Sequence, residues 1–465
     1  MHEPSWKRNG RAGDVVTVPC VLLSSRETRH DAPDTRHPAG HSIPDVFGTE
    51  GPVTKAPPLI REERAEAGSG KGLTRRVCHR YRVSDPQFRR EMSVMLGPSI
   101  TQGNRITALH NGDEIFPDML EAIRGALVSI TFETYVYWSG RIGREFADAF
   151  SERARAGIPV HVILDWAGSV QMDSEVLTQM EDAGARVHRY RPLRWYHLSR
   201  LNHRTHRKIL VVDGRVGFTG GVGIADLWKG HAQDPDHWRD IHFRVEGPVV
   251  AQFQAAFNDN WIKTTGEVLN DASFFPPLEP AGDLDAHMFI ASPSGGGESM
   301  HLMYLMAIAA AAESIDLAAS YFVPDELLVD ALVAALQRGV RLRILLPGPH
   351  IDSETVKIAS RGSWGELLRH GAEIRLYQPT MLHTKLLVVD SEFVSVGSTN
   401  FDMRSLKLND EASLNVYDTA FAGEMTRAFE EDLERSELCT WESWRTRPLG
   451  ERISEQLIRP FRSQL

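Results

Sequence analysis

Apolar residues at helical spacing run through Ile115–Ala126 and Ile142–Ala156, and Ser129–Tyr135 between them reads as a strand. Gly157 stands where a helix C-cap needs a left-handed residue. Val160–Asp165 then reads as a buried strand, Glu175–Ala183 as a helix closed by Gly184, and Arg186–Tyr190 as a short strand. The series returns further on. Leu302–Ala312 predicts a helix, Ser314–Ser320 a strand, Glu326–Arg338 a helix capped by Gly339, and Val340–Leu346 a strand. Ser363–His370 with Gly371 and the strand Glu373–Tyr377 complete it. Matching features recur at offsets of 177 to 187 residues, so the chain contains an internal duplication. Alternating β and α makes each copy a layered α/β unit.

The pattern fails in three places. Residues 1–92 are rich in Arg, His, Pro, Gly and Ser without a sustained period, and are expected to be a disordered extension. Residues 266–285, with Pro276-Pro277 and Pro280-Ala281-Gly282, read as a linker between domains at 93–265 and 286–440. In 441–465, Leu449, Ile453, Leu457, Phe461 and Leu465 recur every four residues with Arg452, Arg459 and Arg462 between them. That stripe predicts an amphipathic helix, packed on its own core or lying in a membrane interface, with a kink at Pro460.

Composition narrows the picture. The 465 residues are 42% hydrophobic and 25% charged, and no apolar run approaches the ~20 residues that cross a bilayer. Residues 1–20 lack a secretory apolar region, and Cys20, Cys78 and Cys439 match no metal or redox spacing. A cytoplasmic protein is expected, peripheral on the inner face of the cell membrane. The net charge of −10 argues against a general nucleic-acid binder. Arg186–Lys208 departs from this: it holds eight basic residues and no acidic one, interleaved with Tyr190, Trp195 and Tyr196. It reads either as a solvated loop or as a lip for anionic headgroups.

Two octapeptides carry the chemistry: His206-Arg-Lys208-Ile-Leu-Val-Val-Asp213 and His383-Thr-Lys385-Leu-Leu-Val-Val-Asp390. Six further residues separate each Asp from Gly220-Gly221 or Gly397-Ser398. On an extended chain, His and Lys two apart point to the same side, and the apolar run behind them anchors the pair. This duplicated HKD pattern resembles the phospholipase D superfamily. The stretch from Leu382 through Asn400-Phe-Asp402-Met-Arg404-Ser405 to Asn409 is similar to the bacterial cardiolipin synthases. The resemblance spans about residues 105–465. It implies two α/β/α sandwich domains related by a pseudo-twofold axis, with one active site shared between them.

The resemblance implies opening of a phosphodiester without metal or other cofactor. One histidine, taken as His206, attacks phosphorus, and the other protonates the leaving oxygen and later deprotonates the incoming alcohol. Lys208 and Lys385 stabilise the phosphoryl charge. By resemblance, a carboxylate downstream of each motif orients that motif's histidine: Asp240 for the first, Glu411 for the second. Asp213 and Asp390 complete the motif and stand among the candidate catalytic residues, although their position suits capping of the turn after the strand. Asn400, Ser398 and Gly397 in the second repeat, and Gly220 and Gly221 in the first, are candidate substrate-binding residues. Gly223 stands where the family has Asn, which removes one donor. Gly223→Asn is therefore expected to preserve or raise activity.

The leading expectation is phosphatidyl transfer, with phosphatidylglycerol as donor and acceptor and a membrane surface as partner. Hydrolysis to phosphatidic acid is the alternative within the same chemistry. A nuclease or other phosphodiesterase, or a non-catalytic membrane adaptor, are alternatives of other classes.

Overall fold

A computed structural model describes residues 77, 79–192, 203–293 and 299–464, without the side chains of 462–464. The central part of the basic stretch, residues 193–202, and residues 1–76 of the expected extension lie outside the described residues.

Two repeats supply the strands of one large sheet, and the second also forms a separate two-stranded sheet from Phe322–Val323 and Phe401–Asp402. The first contributes Thr101–His110 (β1), Ile130–Thr134 (β2), Val160–Asp165 (β3), Arg186–Tyr190 (β4), Ile209–Val212 (β5), Val216–Gly220 (β6) and Ile241–Glu246 (β7). The second begins with Leu284–Ala291 (β8), Ser314–Ala318 (β9), the short Phe322–Val323 (β10), Arg341–Pro347 (β11) and Glu373–Tyr377 (β12). It continues with Leu386–Val389 (β13), Phe393–Gly397 (β14), the short Phe401–Asp402 (β15), Glu411–Tyr417 (β16) and Ser436–Cys439 (β17). The strand order is β17-β12-β11-β9-β13-β14-β16-β8-β1-β7-β6-β5-β2-β3-β4. Leaving out the edge strand β17, that order is a palindrome about the antiparallel β8–β1 seam, as a pseudo-twofold requires.

Strand alternation sorts the core into layers. Ile209 and Val211 of β5 enter one cluster, and Leu210 and Val212 the opposite one. Leu386 and Val388 of β13 join the first cluster again, while Leu387 and Val389 face the other side. One face is covered by Asn111–Arg124 (α2), Arg141–Arg155 (α3) and Ser174–Asp182 (α4) in the first repeat. Ser299–Ala310 (α6), Glu326–Gln337 (α7) and Glu354–Arg369 (α8) cover it in the second. The other face carries Val250–Thr265 (α5) and Thr419–Glu434 (α10), and its core is continuous across the seam, from Phe253 to Leu414 and Phe429. The repeats are therefore fused through a shared apolar layer.

Two expectations change. Helix Pro86–Leu96 (α1) starts inside the stretch expected to be disordered, capped by Asp85 and burying Phe88, Met92 and Leu96 against α6. Its four-residue period is real but sits in a polar context too short to stand out. Helix α8 begins at Glu354 rather than near Ser363, because the Ser353 side chain caps it by accepting from Val356 N.

Candidate active site

Each HKD segment leads into its strand in extended form, so alternation decides what faces the cleft. His206 and Lys208 line a cavity of about 240 Å³. Arg207 turns the other way and is fully buried, donating to Ala256 O at 2.7 Å, Asp259 Oδ2 at 3.0 Å and Glu411 O at 3.3 Å. The same cavity takes His383 and Asn400 from the second repeat. Lys385 Nζ reaches His383, 3.0 Å from Nδ1 and 3.1 Å from Nε2, and donates to Ser320 Oγ at 2.7 Å.

The orienting carboxylates are exchanged between repeats. His206 Nδ1 lies 3.0 Å from Glu411 Oε1, and His383 Nδ1 lies 2.8 Å from Asp240 Oδ2. Each residue was expected beside the histidine of its own motif, and backbone pairing explains why it is not. An isolated bridge joins Thr205 to Asp410, with His206 N donating to Asp410 O at 2.8 Å. A second joins Arg239 to Leu382, with His383 N donating to Arg239 O at 2.7 Å. One step along each bridge, 206 meets 411 and 240 meets 383. Register also makes the carboxylates equivalent, since Gly220 pairs with His242 and Gly397 with Ser413.

Burial sets the protonation states. It drives His206 down to about 4 and His383 well below its ordinary value, with Lys385 and Lys208 adding to the fall at His383. It likewise lowers Lys208 to about 7 and Lys385 to about 8. Burial would raise Glu411, but His206, Lys208 and Ser398 hold it below the usual carboxylate range. Asp240 is pushed up to about 6 by burial despite Lys385. At neutral pH the imidazoles are uncharged and both carboxylates ionised. An ionised carboxylate on Nδ1 fixes the proton there and leaves the Nε2 lone pair free.

The motif aspartates are structural, in keeping with their position at the turn, and the expected roles of Ser398 and the glycines are revised. Asp213 Oδ1 and Oδ2 accept from the backbone N–H groups of Leu127, Val128 and Ser129 at 2.7–3.1 Å. Asp390 does the same for Ala312, Glu313 and Ser314 at 2.8–2.9 Å. Both brace loops and take no part in the cavity wall. Ser398 donates to Glu411 Oε2 and is fully buried, so it positions the carboxylate instead of meeting substrate. Gly220, Gly221 and Gly397 also lie outside the cavity wall. A Cβ at Gly221 would come within 2.4 Å of Asp240 Oδ1, and one at Gly397 within 2.3 Å of Ala412 O. These glycines serve close packing. Asn400 does line the cavity, and its buried Oδ1 has no hydrogen-bond partner among the described residues.

Gly223 is likewise a packing residue. A Cβ there would lie 2.8 Å from Val136 Cβ and 3.2 Å from the Trp228 ring, so asparagine would not fit without displacement. The expectation for Gly223→Asn is reversed. Trp228 lies against that position, donates Nε1–H to Asp240 Oδ2 at 3.1 Å, and stands edge-on to His383. Trp238 flanks His383 at 5.4 Å, and Tyr135 meets His206 at 5.2 Å. Arg204, Arg404, Asn409, Tyr321 and Asp352 complete much of the wall. Trp228 and Tyr135 carried no sequence signal as site residues; Trp238 stands two residues before Asp240, and Arg404 and Asn409 lie in the stretch that carries the resemblance. Among the described residues no group of three or more His, Cys, Asp or Glu side chains could hold a metal ion.

Residues 304–433 match the family described as cardiolipin synthase, PLD-like domain. The chain is 34% identical over 364 residues to the probable cardiolipin synthase YwiE of Bacillus subtilis, covering 78% of this chain and 73% of that protein. It is 33% identical over 363 residues to a cardiolipin synthase of Geobacillus kaustophilus, covering 77% and 72%. The crystal structure of phosphatidylserine synthase from Haemophilus influenzae Rd KW20 has the same fold, with a TM-score of 0.63 at 14% identity over 81% of this chain and all of that one. With its palindromic sheet and exchanged histidine–carboxylate pairs, this chain belongs to the cardiolipin synthase family of phospholipase D-like enzymes.

Proposed function

We propose that this enzyme transfers a phosphatidyl group from phosphatidylglycerol to the hydroxyl of a second phosphatidylglycerol through a phosphohistidine. One observation carries the reading: two neutral imidazoles, each held by an ionised carboxylate of the opposite repeat, share one cavity beside two buried lysines.

His206 is the better nucleophile. Its Nε2 lone pair is uncontested, because Lys208 Nζ donates to His206 O at 2.8 Å and not to the ring. His383 Nε2 has Lys385 Nζ at 3.1 Å. With substrate bound, His383 carries a second proton, taken from solvent on Nε2; as His206 Nε2 bonds to phosphorus, the P–O bond to the headgroup glycerol breaks and that proton passes to the departing alkoxide. A phosphodiester anion beside His383 raises its proton affinity for this step. The incoming hydroxyl then loses its proton to His383, its oxygen bonds to phosphorus, and the P–N bond breaks. Asn400, whose buried amide oxygen lacks a partner among the described residues, would hold the headgroup, and Lys208 the phosphoryl oxygens.

Incubation with phosphatidylglycerol vesicles, with products resolved by mass, tests the reading. Diphosphatidylglycerol with free glycerol is expected; phosphatidic acid alone would replace transfer by hydrolysis. Acid quenching should recover the phosphatidyl adduct on the peptide containing His206, and an adduct on His383 would reverse the assignment.

A further inference from the structure

Helix Leu449–Ile458 (α12) and the following 3-10 turn Arg459–Gln464 have inverted polarity. The inward side holds the ion pairs, with Ile458 beside them. Glu455 is buried and held by both ends of the Arg447 guanidinium, and Glu451 pairs with Arg361 of α8. The outward side is apolar: Leu449, Ile453, Leu457 and Phe461 are 68%, 52%, 69% and 63% exposed. With both acidic side chains engaged inward, the exposed charges among the apolar ones are Arg452 and Arg459. A helix that turns its ion pairs inward and four large apolar groups outward is built to meet a second apolar phase.

Its place in the fold indicates which phase. Ile458 packs with Val323, Val356 and Tyr321, and Tyr321 lines the catalytic cavity. The 3-10 turn packs on Met403–Lys407 (α9), whose Arg404 and Ser405 line the same cavity. The element that carries the apolar face is therefore packed, by its other side, against residues that adjoin the cavity wall.

We propose that α12 and its 3-10 turn form a membrane-docking element that seats the cavity on an anionic phospholipid surface. Leu449, Ile453, Leu457 and Phe461 enter the acyl boundary, and Arg452 and Arg459 meet headgroup phosphates. This rests on the phospholipid reading of the active site, but its test does not depend on turnover.

The full chain carrying His383→Ala is floated with vesicles of mixed phosphatidylglycerol and phosphatidylcholine. Replacing all four exposed apolar residues by Ser is expected to weaken partitioning roughly 100-fold, a conservative share of what their burial supplies. The unfolding midpoint should not fall, since none of the four is buried. In otherwise unaltered protein, the same four changes should leave turnover of a short-chain, monomeric phosphatidylglycerol intact while lowering turnover on vesicles. Leu457→Trp provides a gain-of-signal check, its emission shifting to the blue when vesicles are added. Equal flotation of the four-Ser protein, or an unshifted Leu457→Trp emission, would overturn the proposal. So would a dimer, seen by light scattering, that the four changes dissociate without affecting flotation; the face would then belong to a second copy of the chain.

Discussion

The two histidine sites share a backbone plan but differ in the groups that steady the carboxylate and flank the lysine. At His206 the carboxylate is Glu411, steadied by the Ser398 hydroxyl, and Lys208 stands 5.7 Å over the Tyr135 ring. At His383 the carboxylate is Asp240, steadied by the Trp228 indole, and Lys385 bonds to Ser320. Strand register makes Tyr135 and Ser320 equivalent, as it does Gly221 and Ser398. The loop Gly221–Arg239 is longer than its counterpart Ser398–Asp410, and the longer loop brings Trp228 and Trp238 to His383. Duplication preserved the backbone pairings that place the four polar groups. The donors around them diverged toward a base with an uncontested Nε2 on one side and an aromatic-walled acid on the other.

That division can be broken in order of severity. His206→Ala and His383→Ala should each lower kcat about a thousand-fold or more, with the phosphatidyl adduct lost in His206→Ala. Near-normal turnover in either would mean that one repeat suffices. Glu411→Gln and Asp240→Asn should cost roughly 100-fold, since an amide no longer enforces the Nδ1–H tautomer. The carboxylates also shape the pH profile. Asp240 gains a proton below about 6, whereas Lys208 and Lys385 lose theirs as pH rises through about 7 and 8. The plot of kcat/KM against pH should therefore fall on both sides of that window, and Asp240→Asn should remove the acid limb near 6.

Gly223→Asn is expected to destabilise the fold by about 1–3 kcal/mol through overpacking against Val136 and Trp228, measured by denaturant unfolding. The smallest effects should come from Trp228→Phe and Ser398→Ala, each removing one hydrogen bond to a carboxylate and costing roughly tenfold in kcat/KM. Because Trp228 serves Asp240, its loss should move the acid limb, while Ser398→Ala should leave that limb in place.

Much of this was legible in the sequence. Strands such as Val160–Asp165 and Glu373–Tyr377 are buried apolar runs, and Gly157, Gly184, Gly339 and Gly371 all adopt the left-handed conformation their cap positions imply. The local pattern also put His206 with Lys208 and His383 with Lys385 on one side of the extended segments that lead into their strands. What escaped depends on distant partners. β1 mixes polar and apolar residues and gains its meaning from pairing with β7 and β8. The exchange of Glu411 and Asp240 rests on backbone bridges between residues about 140 to 205 apart in the chain, which no local period encodes. Trp228 reads as an ordinary core aromatic until its indole is seen against Asp240.

The β8–β1 seam has a consequence for how the enzyme could be assembled from pieces. A cut in the connecting segment near Pro276-Pro277 would leave one fragment with His206 and Asp240 and another with His383 and Glu411. Neither fragment alone would hold a correctly oriented imidazole. Recombined across the seam strands and the shared core beneath them, the two would regenerate both pairs at once, so catalytic output would report fragment docking directly.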